Sequence, residues 1–258
     1  MLLVLLRWLF CMVFLLFVAG PQLKRDWPVL RSRLPFLCMI GVLGFTAFNA
    51  LFYSAAHLTT AVNIGILQGS IPVFVLIGVL VVFGTPVTAY QAVGVLVTLI
   101  GVVTVVSEGD FARLAAFAIN QGDLLMLLAC VFYAAYTTGL SRRPDAGALA
   151  LFTVMAASAF VAAIPLAAME FAFGEFQTPT VTGWVLVGLI ALLPSFLAQI
   201  FYIRGVELIG PGRAGIFVNL VPVFASILSV AYLGEAFETY HALALALVLG
   251  GIWLSERK

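Results

Sequence analysis

Charge is what this sequence has least of. Of 258 residues, 12 are Lys or Arg and 11 are Asp or Glu, so charged side chains make up only 9% of the chain. A soluble domain carries about 25%, because its surface must be solvated. The shortage excludes a soluble globular protein with a merely generous core. The net charge of +1 leaves no basic face, so nucleic acid is not expected as a partner. Cysteine is scarce as well. Cys11, Cys38 and Cys130 are odd in number, sit in separate apolar runs and match no metal spacing. They read as small packing residues, and neither a metal nor another cofactor is expected. Catalytic signatures are missing too: there is no HExxH, no GxSxG, no phosphate-cradling loop and no carboxylate pair inside an apolar run. Intramembrane hydrolysis and ATP-driven pumping find no support, and an enzyme is not expected.

What the chain has in quantity is apolar sequence, at 64% of residues, with 13% aromatics and 23 glycines. A membrane helix needs about 20 mostly apolar residues. Nine runs qualify, at residues 2–19, 34–56, 61–83, 88–106, 122–140, 147–170, 182–203, 213–233 and 240–255. Glycine and proline inside them are tolerated in a bilayer, where glycine also lets helices approach closely. The expected fold class is all-α: a polytopic membrane helix bundle with nine transmembrane helices. Small molecules and membrane lipid are the expected partners, and a homodimer is compatible with the composition.

The basic residues set the orientation. Lys24, Arg25, Arg31 and Arg33 follow the first run, Arg142 and Arg143 the fifth, Arg204 and Arg213 the seventh, and Arg257 and Lys258 end the chain. All fall on one side if nine helices alternate. The other side holds Arg113 with Glu108, Asp110, Asp123, Glu175, Glu235 and Glu238. The positive-inside rule then puts the C-terminus in the cytoplasm of a multi-pass plasma membrane protein, a bacterial inner membrane being the natural setting. Arg7 interrupts the first run, which argues against a cleaved signal peptide.

A repeat runs through the chain. Residues 61–103 align without gaps on 211–253, pairing Pro72 with Pro222, Gly84 with Gly234, Tyr90 with Tyr240 and Gly101 with Gly251. Upstream, Phe52-Tyr53 matches Phe201-Tyr202 after a one-residue gap. The copies lie five runs apart, so they point in opposite directions through the bilayer. Inverted repeats of this kind build many secondary transporters. The expected halves are residues 1–110, with four helices, and residues 119–258, with five. A helix ahead of Met1 would complete a ten-helix scheme with both ends cytoplasmic.

The proline, the Gly-Glu at Gly234-Glu235 and the glycine-rich "LALALVLGGIWL" resemble the EamA-like branch of the drug/metabolite transporter superfamily. Arg7-Trp8 is similar to the family's arginine near the start of its second helix, so the resemblance implies a chain lacking the family's first helix. It implies a permease moving a small organic molecule, in uptake or efflux. The first copy departs from the pattern with Thr85-Pro86 where Gly-Glu is usual.

Polar residues inside the runs give the candidate substrate site. Thr46, Asn49 and Tyr53 form one helical stripe on the second run, and Ser195, Gln199 and Tyr202 form another on the seventh. Gln68, Asn219, Tyr133 and Tyr136 add to them. Amides are costly against lipid, so these side chains are expected to face inward, lining a cavity or bonding between helices. Arg7 is the candidate buried charge; the alternative is that it snorkels to the surface. Pro72 and Pro222 are expected to kink their helices. Thr239 is a candidate helix cap and Leu247 a lipid-facing position. The functional expectation is a secondary transporter working by alternating access on a small organic metabolite, such as an amino acid or its derivative, or on a drug-like compound. The alternative is a truncated, transport-inactive membrane protein or partner subunit.

Overall fold

The computed structural model describes residues 1–110, 112, 119–174, 177–233 and 236–257, with nothing said of the Leu233 side chain. Arg113, Glu175 and the Gly234-Glu235 pair lie outside the described residues. The protein is an all-α polytopic membrane bundle. Its helices are α1 (Leu2–Val18), α2 (Gly20–Ser32), α3 (Leu34–Ala56), α4 (Ala61–Gln68), α5 (Ile71–Phe83), α6 (Ala89–Val106), α7 (Gln121–Gly139), α8 (Ala148–Ala172), α9 (Val181–Ile209), α10 (Pro211–Ile216), α11 (Leu220–Leu233) and α12 (Thr239–Ser255). Among the described residues, seven segments are long and apolar enough to cross a bilayer, and an eighth is the pair α1 and α2, bent by 99°. The apolar α12 is shorter, at 17 residues, near the lower limit for a span.

Two compact units divide the chain. The first comprises Met1–Ala50 and Ala135–Leu208, the second Leu51–Ala134 and Ile209–Lys258. Each therefore draws segments from both sequence halves.

In the first unit α8 is the packing centre, with α1, α2 and the start of α3 laid against it. Its buried face is rich in small residues, among them Ala150, Ala156, Ala159 and Ala163, which let helices approach closely. Gly41 of α3 shows how closely: a Cβ there would sit 2.8 Å from the Met155 backbone. Asp26 of α2 accepts from the Gly147 amide at 2.9 Å, pinning α2 to the start of α8.

In the second unit α6 and α12 form the main contact. A Cβ on Gly94 would lie 2.6 Å from the Gly251 carbonyl oxygen, and one on Gly101 would lie 2.7 Å from Val248 and 3.0 Å from the Ala244 carbonyl. Rising numbers on one helix meet falling numbers on the other, so the two are antiparallel. The repeat alignment equates Gly94 with Ala244 and Gly101 with Gly251. Each position thus meets the counterpart of the other, the signature of a two-fold relation. Leu247, expected at the lipid face, packs instead beside Gly101.

The prolines act at helix starts. Pro72 occupies the first turn of α5, just after a break at Gly69-Ser70. Pro222 occupies the first turn of α11, after a 3-10 turn at Phe217–Asn219. A proline needs no amide donor there, so the chain interrupts the helix ahead of it rather than kinking within it. At the first break the Leu67 carbonyl accepts from the Ser70 hydroxyl at 2.6 Å and the Cys130 thiol at 3.4 Å. Thr88 and Gln91 close a capping box on α6. On α12 the cap is Glu238, boxed with His241, and Thr239 is already the first helical residue. Gly84 ends α5 at φ 65°, a left-handed conformation that favours glycine.

Candidate functional site

Two stretches of π-helix lie in the first unit, at Val42–Ala47 of α3 and Ala191–Leu197 of α9. The register that pairs Phe52 with Phe201 also pairs residues 42–47 with 191–196. The same irregularity therefore recurs at one repeat position. A π turn adds a residue to the helix, leaves a backbone group without its usual partner, and is frequent at functional sites. A hydroxyl in each stretch makes a backbone bond, Thr46 across to α8 and Ser195 within its own helix. The Thr46 hydroxyl donates to the Ala159 carbonyl at 2.6 Å, and the Ser195 hydroxyl donates to the Ile190 carbonyl at 2.8 Å. Pro194 adds a missing amide to the second stretch.

Arg7 joins the two helices, bonding inside the second stretch and two residues beyond the end of the first. Its Nε donates to Ser195 Oγ at 2.8 Å and its Nη1 to Asn49 Oδ1 at 2.6 Å. The residue is 7% exposed, and its guanidinium lies 5.4 Å from the Trp8 ring centroid. It does not snorkel. A buried cation is retained when hydrogen bonds and a π face replace water. Asn49 is itself oriented by donating to the Phe45 carbonyl.

An aromatic ladder runs beside this cluster. Trp8 stacks on Phe45 with centroids 4.7 Å apart, Phe45 meets Tyr136 at 5.1 Å, and Tyr136 stacks with Tyr202 at 6.3 Å. Gly44 makes room for it, because a side chain there would run into the Tyr136 ring. The tyrosine end of the ladder is polar: Tyr136 OH donates to Gln199 Oε1 at 3.1 Å, and Tyr202 OH shares a hydrogen bond with the Thr137 hydroxyl at 2.9 Å. Asn49, Tyr136, Gln199, Tyr202 and Arg7 thus belong to one cluster in the first unit.

Tyr53, Gln68, Tyr133 and Asn219 belong to the second unit. Tyr53 and Gln68 are half-buried, whereas Tyr133 and Asn219 are buried. Asn219 donates to Thr98 Oγ1 at 2.9 Å; among the described residues its buried Oδ1 has no hydrogen-bond partner. Thr98 was not expected in the site, since a lone threonine in an apolar run gives no signal.

A second polar centre was read from sequence only as outward-facing acid. Asp123 is fully buried and accepts from Thr59 Oγ1 at 2.6 Å, Asn63 Nδ2 at 3.1 Å and the Asn120 amide at 3.0 Å. The Asn120 side chain accepts in return from the Asp123 amide at 3.1 Å. The spacing of Asn120 and Asp123 is that of a capping box, the one sequence signal that could have found it. The start of α4 lies against the same carboxylate through Asn63, so two helix N-termini share it. Glu207 pairs with Arg204 at 2.9 Å and Arg143 at 3.5 Å. No group of three metal-ligating side chains occurs among the described residues.

Comparison with known proteins gives a consistent picture. The chain is 25% identical over 243 residues to the uncharacterized transporter YyaM of Bacillus subtilis (strain 168), covering 93% of this chain and 78% of that one. It is 28% identical over 240 residues to the uncharacterized transporter YetK of the same organism, covering 92% and 72%. A crystal structure superposes with a TM-score of 0.78 at 20% identity over 99% of this chain and 86% of the other, which supports the fold. The EamA-like transporter family matches residues 1–107 and 120–257. With both matches together spanning nearly the whole sequence, the chain belongs to the EamA-like transporter family.

Proposed function

We propose that this membrane transporter is a secondary carrier that moves a small organic metabolite, of the size and amphipathic character of an amino acid or its derivative, by alternating access. The observation that carries the reading is the pair of π-helical stretches at one repeat position, with buried Arg7 hydrogen-bonded to Ser195 inside the second and to Asn49 just beyond the first. Polar side chains inside a membrane bundle are expensive and mark pathways for polar cargo. In this reading Gln199, Tyr136, Tyr202 and Asn49 contact substrate through amide and phenol groups. Arg7 is a positioning residue that holds α3 and α9 in register through Asn49 and Ser195. In the second unit, the Asn219 Oδ1 is an acceptor for a substrate donor, with Tyr53, Gln68 and Tyr133 as further polar contacts of that unit. The aromatic ladder suits an apolar portion of the substrate. A single buried guanidinium, without a cluster, argues against a sugar phosphate.

The halves 1–110 and 119–258 act as inverted counterparts in this scheme, and the antiparallel contact of α6 with α12 supports it. Basic residues after α1 and at the chain end favour a cytoplasmic C-terminus in a plasma membrane. No covalent step is involved, so the protein is no enzyme in this reading.

Proteoliposomes preloaded with one member of a metabolite panel test the proposal. Counterflow of labelled amino acid or a derivative is expected, and Gln199→Ala should reduce it severalfold more than the lipid-exposed change Leu243→Ala. Absence of counterflow across the whole panel, or equal effects of the two changes at equal expression, would overturn it.

A further inference from the structure

The bend after α1 creates a second feature that substrate transport does not use. The Gly20–Ser32 helix turns 99° away from α1. Its sequence, GPQLKRDWPVLRS, is too polar to cross a bilayer and is amphipathic. Leu23, Trp27 and Leu30 recur at i, i+4 and i+7 and form its apolar stripe. Lys24 and Arg31, seven residues apart, form an exposed stripe, and Arg33 is exposed at the C-terminal end. Asp26 faces Arg25 at 2.8 Å and so offsets that one cation. A basic amphipathic helix joined at a right angle to a membrane span lies in the interface plane.

Beneath this helix is a cavity of about 570 Å³. Its wall includes Leu23 and Trp27 of α2, Leu16 of α1, Leu34 of α3, and Ala157 and Val161 of α8. Thr153 and Ser158 also line it, but their hydroxyls donate to the Leu149 and Met155 carbonyls, each at 2.7 Å. The wall therefore offers an occupant apolar surface. A polar metabolite gains nothing there.

We propose that this is a binding site for an acidic glycerophospholipid, with an acyl chain in the cavity and the headgroup phosphate on Lys24, Arg31 and Arg33. The two observations are independent and adjacent: an apolar hollow that fits a hydrocarbon tail, and unneutralised cations on the helix that roofs it. Trp27 stands at the junction, 43% exposed, as an amphipathic ring does at headgroup depth. A zwitterionic lipid fills the same hollow but gains less from the cations, and each basic residue near an anionic surface favours the acidic lipid about fivefold. The site does not depend on the transport reading, because it lies within the first unit and shares none of the substrate-contacting side chains named above.

Trp27 is also the reporter. The full chain is reconstituted in phosphatidylcholine bilayers containing a minor fraction of brominated-chain phosphatidylglycerol or brominated-chain phosphatidylcholine. The quenching that disappears in Trp27→Phe is assigned to this position. Deeper quenching by brominated phosphatidylglycerol is expected, with the preference falling about fivefold for each of Lys24→Gln, Arg31→Gln and Arg33→Gln. Ala157→Phe, which fills the hollow, should weaken quenching by both lipids. Glycerophosphate in the buffer should not compete, because it lacks the tail. Equal quenching by the two lipids, a preference unchanged in the triple Gln variant, or full competition by glycerophosphate would overturn the proposal. Folding of each variant is checked by its elution as a single species in detergent.

Discussion

The two repeat-related helix pairs are treated differently. α6 and α12 touch directly along a seam in which Gly94 and Gly101 each meet the repeat counterpart of the other. α3 and α9 share a π-helical stretch at one register position, yet both hydrogen-bond to a third helix through Arg7. Symmetry is kept where backbones must approach and is relaxed where polar side chains gather. Asn49 and Ser195 do not occupy equivalent positions, since Ser195 is the counterpart of Thr46. A substrate is asymmetric, so equivalent walls are of little use around it, whereas an interface between equivalent surfaces is most economically built from equal contacts.

Breaking this contrast starts at the seam. Gly251→Leu drives a side chain into the Gly94 carbonyl and Thr98, and overpacking of this kind costs about 3 kcal/mol or more where backbone cannot yield. Loss of monodisperse protein in detergent is the expected readout, while Gly250→Ala, with open space around its Cβ, should leave elution and melting unchanged. Arg7→Gln comes next. It removes the cation shared by Asn49 of α3 and Ser195 of α9, and counterflow should fall about tenfold or more, since buried hydrogen bonds to charge are worth about 1.5–3 kcal/mol. Arg7→Lys should restore little, because an ammonium lacks the planar fork. Gln199→Ala leaves Tyr136 without its acceptor and should lower stability by about 1 kcal/mol, seen as a modest drop in the melting midpoint. Asp26 gives the smallest effect. The hydrogen bond from Arg25, then that from the Gly147 amide, holds its carboxyl below the usual value of 3.8. Its contribution is therefore fully present above pH 3.8 and lost as pH falls through the lowered folded value. Asp26→Asn should remove that acid-side slope in a melting series, lowering the midpoint slightly at neutral pH and not at all below the folded value.

Much of the helical layout was legible because apolar length is a strong signal and glycine and proline punctuate it. The α6–α12 seam was foreshadowed by the aligned Gly101 and Gly251. The π stretches were not legible. An extra residue per turn leaves no mark on an apolar pattern, and the hydroxyls within the two stretches, Thr46 and Ser195, look like any polar residue in a span. Arg7 was visible as a charge, but its depth depends on partners far along the chain, Ser195 being 188 residues away. The burial of Asp123 was not legible, because acidity at a helix start gives no sign of depth, whereas Thr59 and Asn63 enclose it. Leu247 was misplaced because helix faces in an evenly apolar run cannot be told apart by hydrophobicity alone.

The seam between α6 and α12 also speaks to origins. A surface that matches its own upside-down copy needs no second gene to find a partner. A lone ancestral hairpin equivalent to α5 and α6, inserted in both senses in one membrane, would already carry everything required to pair with itself. Joining two such hairpins in one chain then fixes their opposite senses, and lets each drift toward its own share of the work.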